Sequence, residues 1–164
     1  KGVLDLAKAF HQLEKQHANV KLLLVGPDEE EMQYKIKELG YNSEAIHFYG
    51  NTNHPENIFQ AAEVFCLPSH REAFGLSIIE ASACELPIIC SDTYGLKDSI
   101  VNEVTGMRHI THNVASILQA MEIMYSNKEK RYQLGKNGRE YVLDNFSKEA
   151  ITSLWFDYFK SIIK

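Results

Sequence analysis

The chain has 164 residues, 45 % of them hydrophobic and 24 % charged, a balance that excludes disorder and suffices to bury a core without disulfide or metal staples. Its formal charge of −5 excludes a surface built for general nucleic-acid binding, which needs a basic face to neutralise phosphates. No apolar run approaches the roughly 20 residues that span a bilayer, and no stretch reads as a signal peptide.

Taken in chain order, Leu6, Phe10 and Leu13 recur at helical spacing within residues 3 to 17, and VKLLLVG at 20 to 26 reads as a short buried strand ending at Gly26. PDEEEMQYKIKELG then predicts a helix with Pro27 and acids in its first turn, Met32, Ile36 and Leu39 on one face, and Gly40 as C-cap. AIHFYG (45 to 50) predicts a strand with a turn at Gly50, followed by a short helix near 55 to 62. EVFCLP (63 to 68), a helix from about 75 to 85, PIICSD (87 to 92) and TGMRHI (105 to 110) continue the alternation. From Asn113 the pattern is helical to the end, broken near 126 to 128 and at Asn145 to Phe146.

Strands that are continuous Val, Ile, Leu, Phe and Cys runs, separated by helices, predict one α/β domain. Its doubly wound parallel sheet is covered on both faces and followed by a helical C-terminal tail. Cys66, Cys84 and Cys90 fall inside these apolar runs with no C-x-x-C spacing, and read as buried, reduced thiols of a cytosolic protein. The chain starts at Lys1 without a Met, directly before a helical pattern, so we expect a piece of something longer.

Open α/β sheets bind ligands at the carboxyl ends of their strands, which marks the loops at 26 to 28, 49 to 54, 68 to 75 and 92 to 98. The third leads into REAFGLSIIEA, residues 71 to 81, with one Glu in the loop and a second inside an apolar helix. Glu80 has Leu76, Ala83 and Cys84 as its helical neighbours, so its carboxylate is expected to need a dedicated partner. Two vicinal ribose hydroxyls suit it; a structural salt bridge is the alternative. Phe74 and Gly75 leave the first-turn amides of that helix open to an anion such as a diphosphate, and Gly75 admits a close approach. Glu72, in front of those amides, suits a sugar hydroxyl, or serves as a helix-start charge. Together these features describe a nucleotide-sugar site.

The E-x7-E spacing from Glu72 to Glu80, within PSHREAFGLSIIEASACELPIICSD, resembles the signature of retaining GT-B glycosyltransferases of the family-4 type, the glycosyl transferases group 1 domain. LLLVG, IHFYGNT, AAEVFCLPS, YGLKDSIV and TGMRH match in order along essentially the whole chain. The resemblance implies a Rossmann-like, nucleotide-sugar-binding domain. In it Glu80 holds the ribose, Glu72 contacts the donor hexose and supports positive charge at its anomeric carbon, and the amides around Phe74, Gly75 and Leu76 bind hexose and diphosphate. Lys1 is similar to the family's lysine on the β-phosphate, and Tyr49, Gly50 and Asn51 fall in its base-binding loop.

Four departures accompany the resemblance. The strand and arginine before the Lys-Gly pair are missing, Ala73 replaces the commoner Gly, Tyr94 replaces the first of a Gly pair, and Glu63 stands for Asp. The family's acceptor site belongs to a separate N-terminal domain. The resemblance therefore implies the donor-binding C-terminal half of a two-domain enzyme, inactive alone, with a nucleotide-diphosphate sugar, a glycan or lipid-linked acceptor and the N-terminal domain as partners. Residues 1 to 164 are expected to form that single domain. Its missing first strand belongs between the strands at 21 to 25 and 64 to 67, which must close up or leave a slot.

No metal cofactor is expected; the chain has no D-x-D pair. Similarity to bacterial capsular and lipopolysaccharide enzymes implies a UDP-sugar donor and a cytoplasmic site of action, and leaves contact with the inner face of a membrane open. Several residues have plainer readings beside these. PDEEE reads as a helix N-terminus rather than a metal site. His70 lies beside the Glu72 loop, and Asp98 faces either the donor or a helix start. LWFDYF (154 to 159) is core or inter-domain packing, with Trp155, Phe156 and Phe159 exposed once a partner domain is gone. Three rival functions remain: a GT-B epimerase of UDP-N-acetylglucosamine, a non-catalytic nucleotide-binding or assembly module, and a flavodoxin-like domain without a sugar ligand.

Overall fold

A computed structural model describes all residues except Glu29, Asn42, Ser43 and Lys164. The elements follow in the order α1 (Val3–Gln16), β1 (Leu22–Val25), α2 (Met32–Glu38), β2 (Ile46–Gly50), α3 (Pro55–Ala61), β3 (Phe65–Leu67), α4 (Leu76–Ala83), β4 (Ile88–Ser91), β5 (Gly106–His109), α5 (Val114–Ser126), α6 (Lys128–Phe146) and α7 (Lys148–Ile162). A single 3-10 turn at Tyr94–Leu96 lies between β4 and β5. Every strand pairing within the sheets is parallel, as runs of apolar residues separated by helices require.

β4 occupies the centre of a three-stranded sheet of order β3-β4-β5. All four of its residues are buried because helices cover both faces. Ile89 joins a cluster with Leu6, Phe10 and Leu13 of α1 and Ile117, Met121 and Met124 of α5. Ile88 and Cys90 point the other way, into a cluster with Phe59 of α3, Ile78 and Ala81 of α4, Leu96 and Ile100. Burying one such isoleucine stabilises the fold by about 1.5–3 kcal/mol, so this strand anchors the three layers.

β1 and β2 form a separate two-stranded sheet. β1 does not pair with β3: the two strands have not closed up, and each pairs with one neighbour only. The expectation of cover on both faces fails here, since Leu23 and Val25 of β1 are 42 % and 44 % exposed. Helix α1 carries the connection between the sheets instead, because its apolar face packs with Leu22 and Ile46 on one side and with Ile89 and Met107 on the other.

Helix α2 begins five residues later than the sequence pattern predicts. Asp28 accepts hydrogen bonds from the Met32 and Gln33 amides at 2.6 and 3.1 Å, and Glu31 at φ 53° sits in the left-handed region, so the acids form the capping turn rather than the first helical turn. The breaks among the last helices fall at Asn127 and Ser147, whose side chains accept from the amides of Lys130 and Ala150. Among the described residues no helix is long and apolar enough to cross a membrane. Helix α7 has no buried residue, and its Trp155, Phe156 and Phe159 are all exposed, so the core reading of this aromatic run does not hold.

Candidate functional site

The loop from β3 to α4 ends in Gly75, which has φ 73° and caps α4 without any side-chain hydrogen bond. A Cβ at Gly75 would lie 2.5 Å from Leu96 Cδ2, so glycine is required by backbone conformation and by space together. Among the described residues no acceptor meets the Leu76 and Ser77 amides, and the N-terminus of α4 therefore offers two open donors. Glu72, half-buried, is already aimed. Ser69 Oγ donates to its Oε2 at 3.1 Å and the Ala73 amide to its Oε1 at 3.3 Å.

Glu80 is not where the sequence pattern suggested. Ile78, Ile79, Ala81 and Ser82 are the buried residues of α4, whereas Leu76 is 64 % exposed and Glu80 is exposed too. At 100° per residue the buried four span one arc, and Leu76, Glu80, Ala83 and Cys84 span the opposite one. The neighbours of Glu80 are apolar, yet their arc faces outward, so the carboxylate is solvated and carries no burial penalty. Among the described residues it has neither a hydrogen-bond nor an ion-pair partner, and the salt-bridge alternative finds no support.

The segment after β4 is stapled to this loop. A Cβ at Gly95 would lie 1.8 Å from the Glu72 carbonyl oxygen and 2.8 Å from that of Ala73, and Ser99 Oγ donates to the Phe74 carbonyl. The Phe74 ring meets Phe146 edge-on, with centroids 5.5 Å apart. Tyr94, by contrast, is 89 % exposed, so the departure from a Gly pair costs no space. Arg108 on β5 donates from Nη2 to the carbonyls of Lys97 and Ile100 at 2.7 and 2.8 Å, and Tyr141 Oη donates to the Asp98 carbonyl at 3.0 Å. The Asp98 side chain is exposed and caps no helix; it follows the 3-10 turn.

On the other side of the loop, Lys1, Gly2, Asp5 and His70 share the lining of a hollow of ≈ 420 Å³ with Pro27 and Asp28. Gly2 lies so close to the Pro68 carbonyl that a Cβ would stand 2.0 Å from it, which fixes Lys1 beside the β3 loop. His70 Nε2 lies 2.9 Å from Asp5 Oδ2. Tyr49, Gly50 and Asn51 sit at the carboxyl end of β2 on the smaller sheet, with Tyr49 54 % exposed. The structure thus brings Glu72, Phe74, Gly75 and the Asp98 loop into contact and seats Lys1 by His70. Among the described residues Glu80 and Tyr49 have no side-chain hydrogen bond to either group, while Gly50 accepts from the Gly26 amide at 2.8 Å, next to the Pro27 and Asp28 lining of the Lys1 hollow.

Arg108 and the Asp5–His70 pair escaped the sequence reading because each joins residues far apart in the chain. His109 escaped it too. Its Nε2 faces Ser91 Oγ at 3.3 Å and its Nδ1 the Ile110 carbonyl at 3.1 Å, and burial holds it below the usual histidine range. Burial also pushes the Cys66 and Cys90 thiols up to about 12, which leaves them unreactive packing groups. Asp28 and Glu31 act as a capping turn, while Glu29 of the acidic run lies outside the described residues.

Comparison with known proteins identifies the family and the fold. The family model for glycosyl transferases group 1 matches residues 1–141. The chain is 31 % identical over 163 residues to the capsular polysaccharide biosynthesis glycosyltransferase CapM of Staphylococcus aureus, covering 92 % of this chain and 40 % of that protein. It is 28 % identical over 164 residues to the N,N'-diacetylbacillosaminyl-diphospho-undecaprenol alpha-1,3-N-acetylgalactosaminyltransferase of Campylobacter jejuni, covering 100 % and 42 %. The sucrose-phosphate synthase of Thermosynechococcus elongatus superposes with a TM-score of 0.85 at 29 % identity, covering 99 % of this chain and 42 % of that one. The chain thus spans about two fifths of the length of these proteins, and it belongs to the glycosyl transferases group 1 family, with the Rossmann-like fold of one domain of the GT-B enzymes.

Proposed function

We propose that this chain is the donor-binding domain of a retaining glycosyltransferase that moves a hexose from a nucleotide-diphosphate sugar to a glycan or lipid-linked acceptor. A UDP-sugar and capsular or lipopolysaccharide synthesis are the donor and setting we favour. The observation that carries this reading is the head of α4. Two open amides stand beside a Glu72 carboxylate that Ser69 and Ala73 already orient, and Glu80, without a partner among the described residues, faces solvent from the same helix.

In the transfer, the bond from the sugar C1 to the β-phosphate oxygen breaks, the acceptor oxygen bonds to C1 from the same face, and the acceptor proton leaves with the nucleoside diphosphate. Glu72 supports the positive charge that grows at C1. Lys1 and the amides of Gly75, Leu76 and Ser77 neutralise the charge growing on the leaving oxygen. This scheme needs no metal. Glu80 accepts both ribose hydroxyls, Tyr49, Gly50 and Asn51 hold the base, and Asp98 faces the hexose from its loop.

The acceptor side belongs to an N-terminal domain of the same enzyme, and the segment alone is then inactive. The two-fifths coverage of the relatives supports this. So does α7, whose exposed Trp155, Phe156 and Phe159 form an apolar face suited to domain packing. A lipid-linked acceptor would draw the enzyme to the inner face of the cytoplasmic membrane. The test is Glu72→Gln in the native enzyme. Transfer should fall at least a hundredfold, since one positioned charge in a transition state contributes about 3 kcal/mol, while donor affinity stays within a few fold. Unchanged turnover would remove Glu72 from the chemistry.

A further inference from the structure

We infer that Asp5, His70 and His112 form a binding site for one divalent ion of the zinc class. The three residues come from separate parts of the chain: the first turn of α1, the loop after β3, and the loop after β5. One carboxylate oxygen and two imidazole nitrogens all lie within 4.8 Å of one another. Asp5 Oδ2 and His70 Nε2 are 2.9 Å apart, and the His70 and His112 rings face each other with centroids 3.7 Å apart and planes inclined by 38°.

The hydrogen bond joins Asp5 to His70 and the ring contact joins His70 to the exposed His112, which brings a second basic ring to the same carboxylate. An ion accounts for all three. Two imidazoles and one carboxylate are a donor set suited to Zn²⁺, Co²⁺ or Ni²⁺, and poorly suited to Mg²⁺ or Ca²⁺, which prefer oxygen. Ligands at about 2.1 Å in a tetrahedral set stand about 3.4 Å from one another. No donor therefore has more than roughly 1.4 Å to travel, within reach of a rotation of the exposed His112 side chain. The ion would tie α1, which bridges the two sheets, to two loops at the carboxyl ends of β3 and β5. Asp5 and His70 also line the hollow that holds Lys1, so a fourth coordination position is open to a solvent oxygen. No step of the transfer is assigned to this ion.

The test uses metal-stripped native enzyme, titrated with zinc chloride by calorimetry and with cobalt chloride by visible absorption, beside His112→Ala and His70→Ala. His112→Ala leaves the Asp5–His70 hydrogen bond in place, and because His112 sits at φ 60° the variant is paired with His112→Asn, which tolerates that backbone, with thermal unfolding of both as the check on folding. We expect one ion per chain, a tetrahedral cobalt absorption band in the unmodified enzyme, and affinity reduced at least tenfold by either substitution. Absence of stoichiometric binding, or binding unchanged by His112→Ala, overturns the inference.

Discussion

Replacing Gly95 by alanine should spoil the site from a distance, through one methyl group. The backbone of Gly95 is outside the left-handed region, so any residue could adopt it, and the obstacle is space alone. The new Cβ would lie 1.8 Å from the Glu72 carbonyl oxygen and 2.6 Å from its carbonyl carbon. Ordinary contact needs about 3.4 Å, so the two loops must part by about 1.5 Å. Neither partner is a flexible side-chain tip: Ser99 ties the Gly95 segment to the Phe74 carbonyl of the Glu72 loop, and Arg108 ties that same segment to β5. Overpacking of this kind costs about 1–3 kcal/mol, a fall in melting temperature of roughly 2–12 °C for a domain of this size. Because the displaced carbonyl belongs to Glu72 itself, donor turnover should fall by about a hundredfold, as a 1 Å misplacement does. Thermal unfolding and steady-state transfer in the native enzyme measure both. Tyr94→Ala is the control, expected within about 0.5 kcal/mol because its side chain is solvated. If Gly95→Ala keeps its melting temperature within a degree and its turnover within twofold, the contact between the loops is not there.

Arg108→Ala should cost about 2 kcal/mol in thermal unfolding, since it leaves the Lys97 and Ile100 carbonyls without their donor; Arg108→Lys restores only part, and a loss below 0.5 kcal/mol would mean that the guanidinium does not hold the loop. Thiol labelling at pH 8 should reach Cys84 in the folded protein and Cys90 only on unfolding, because Cys90 is buried with its thiol pushed up to about 12; equal labelling rates contradict the packing. That raised value also has a sign in stability. The folded state keeps the Cys90 proton while the unfolded chain loses it above about 9, so stability is full below 9 and drains as pH rises toward 12. Between pH 8 and 10 the unmodified protein should lose about 1 kcal/mol more than Cys90→Ala, and parallel pH profiles would refute this.

The alternation of elements was legible because strands of Val, Ile, Leu, Phe and Cys and helices with a 3.6-residue stripe leave different marks. Even the breaks at Asn127 and Ser147 were readable within about two residues. What the chain hid falls into two kinds. The first is orientation within an element: the apolar neighbours of Glu80 suggested a buried carboxylate, while the buried arc of α4 is carried by Ile78, Ile79, Ala81 and Ser82. Apolar residues fill both arcs of that helix, so periodicity could not say which faces the sheet. The second is any pairing across the fold. Arg108 reads as one more strand residue, and Asp5 as one more acid in a first turn, until folding brings them to Ile100 and His70. The motif residues Glu72, Phe74 and Gly75 lay near their expected place because a loop and the helix it opens are contiguous in sequence. The late start of α2 was a local miss, since a first turn rich in acids and a capping turn rich in acids share one composition.

Glu80 is the residue on which the proposed nucleotide site turns. Calorimetric titration of UDP, GDP and ADP into the native enzyme, repeated with Glu80→Ala, addresses it most directly. Binding should be selective for one nucleotide, UDP foremost. In the variant, affinity should fall by tenfold or more with folding intact, since an exposed carboxylate without a protein partner holds nothing together. Binding undiminished by Glu80→Ala, or no binding of any of the three by folded enzyme, would contradict it.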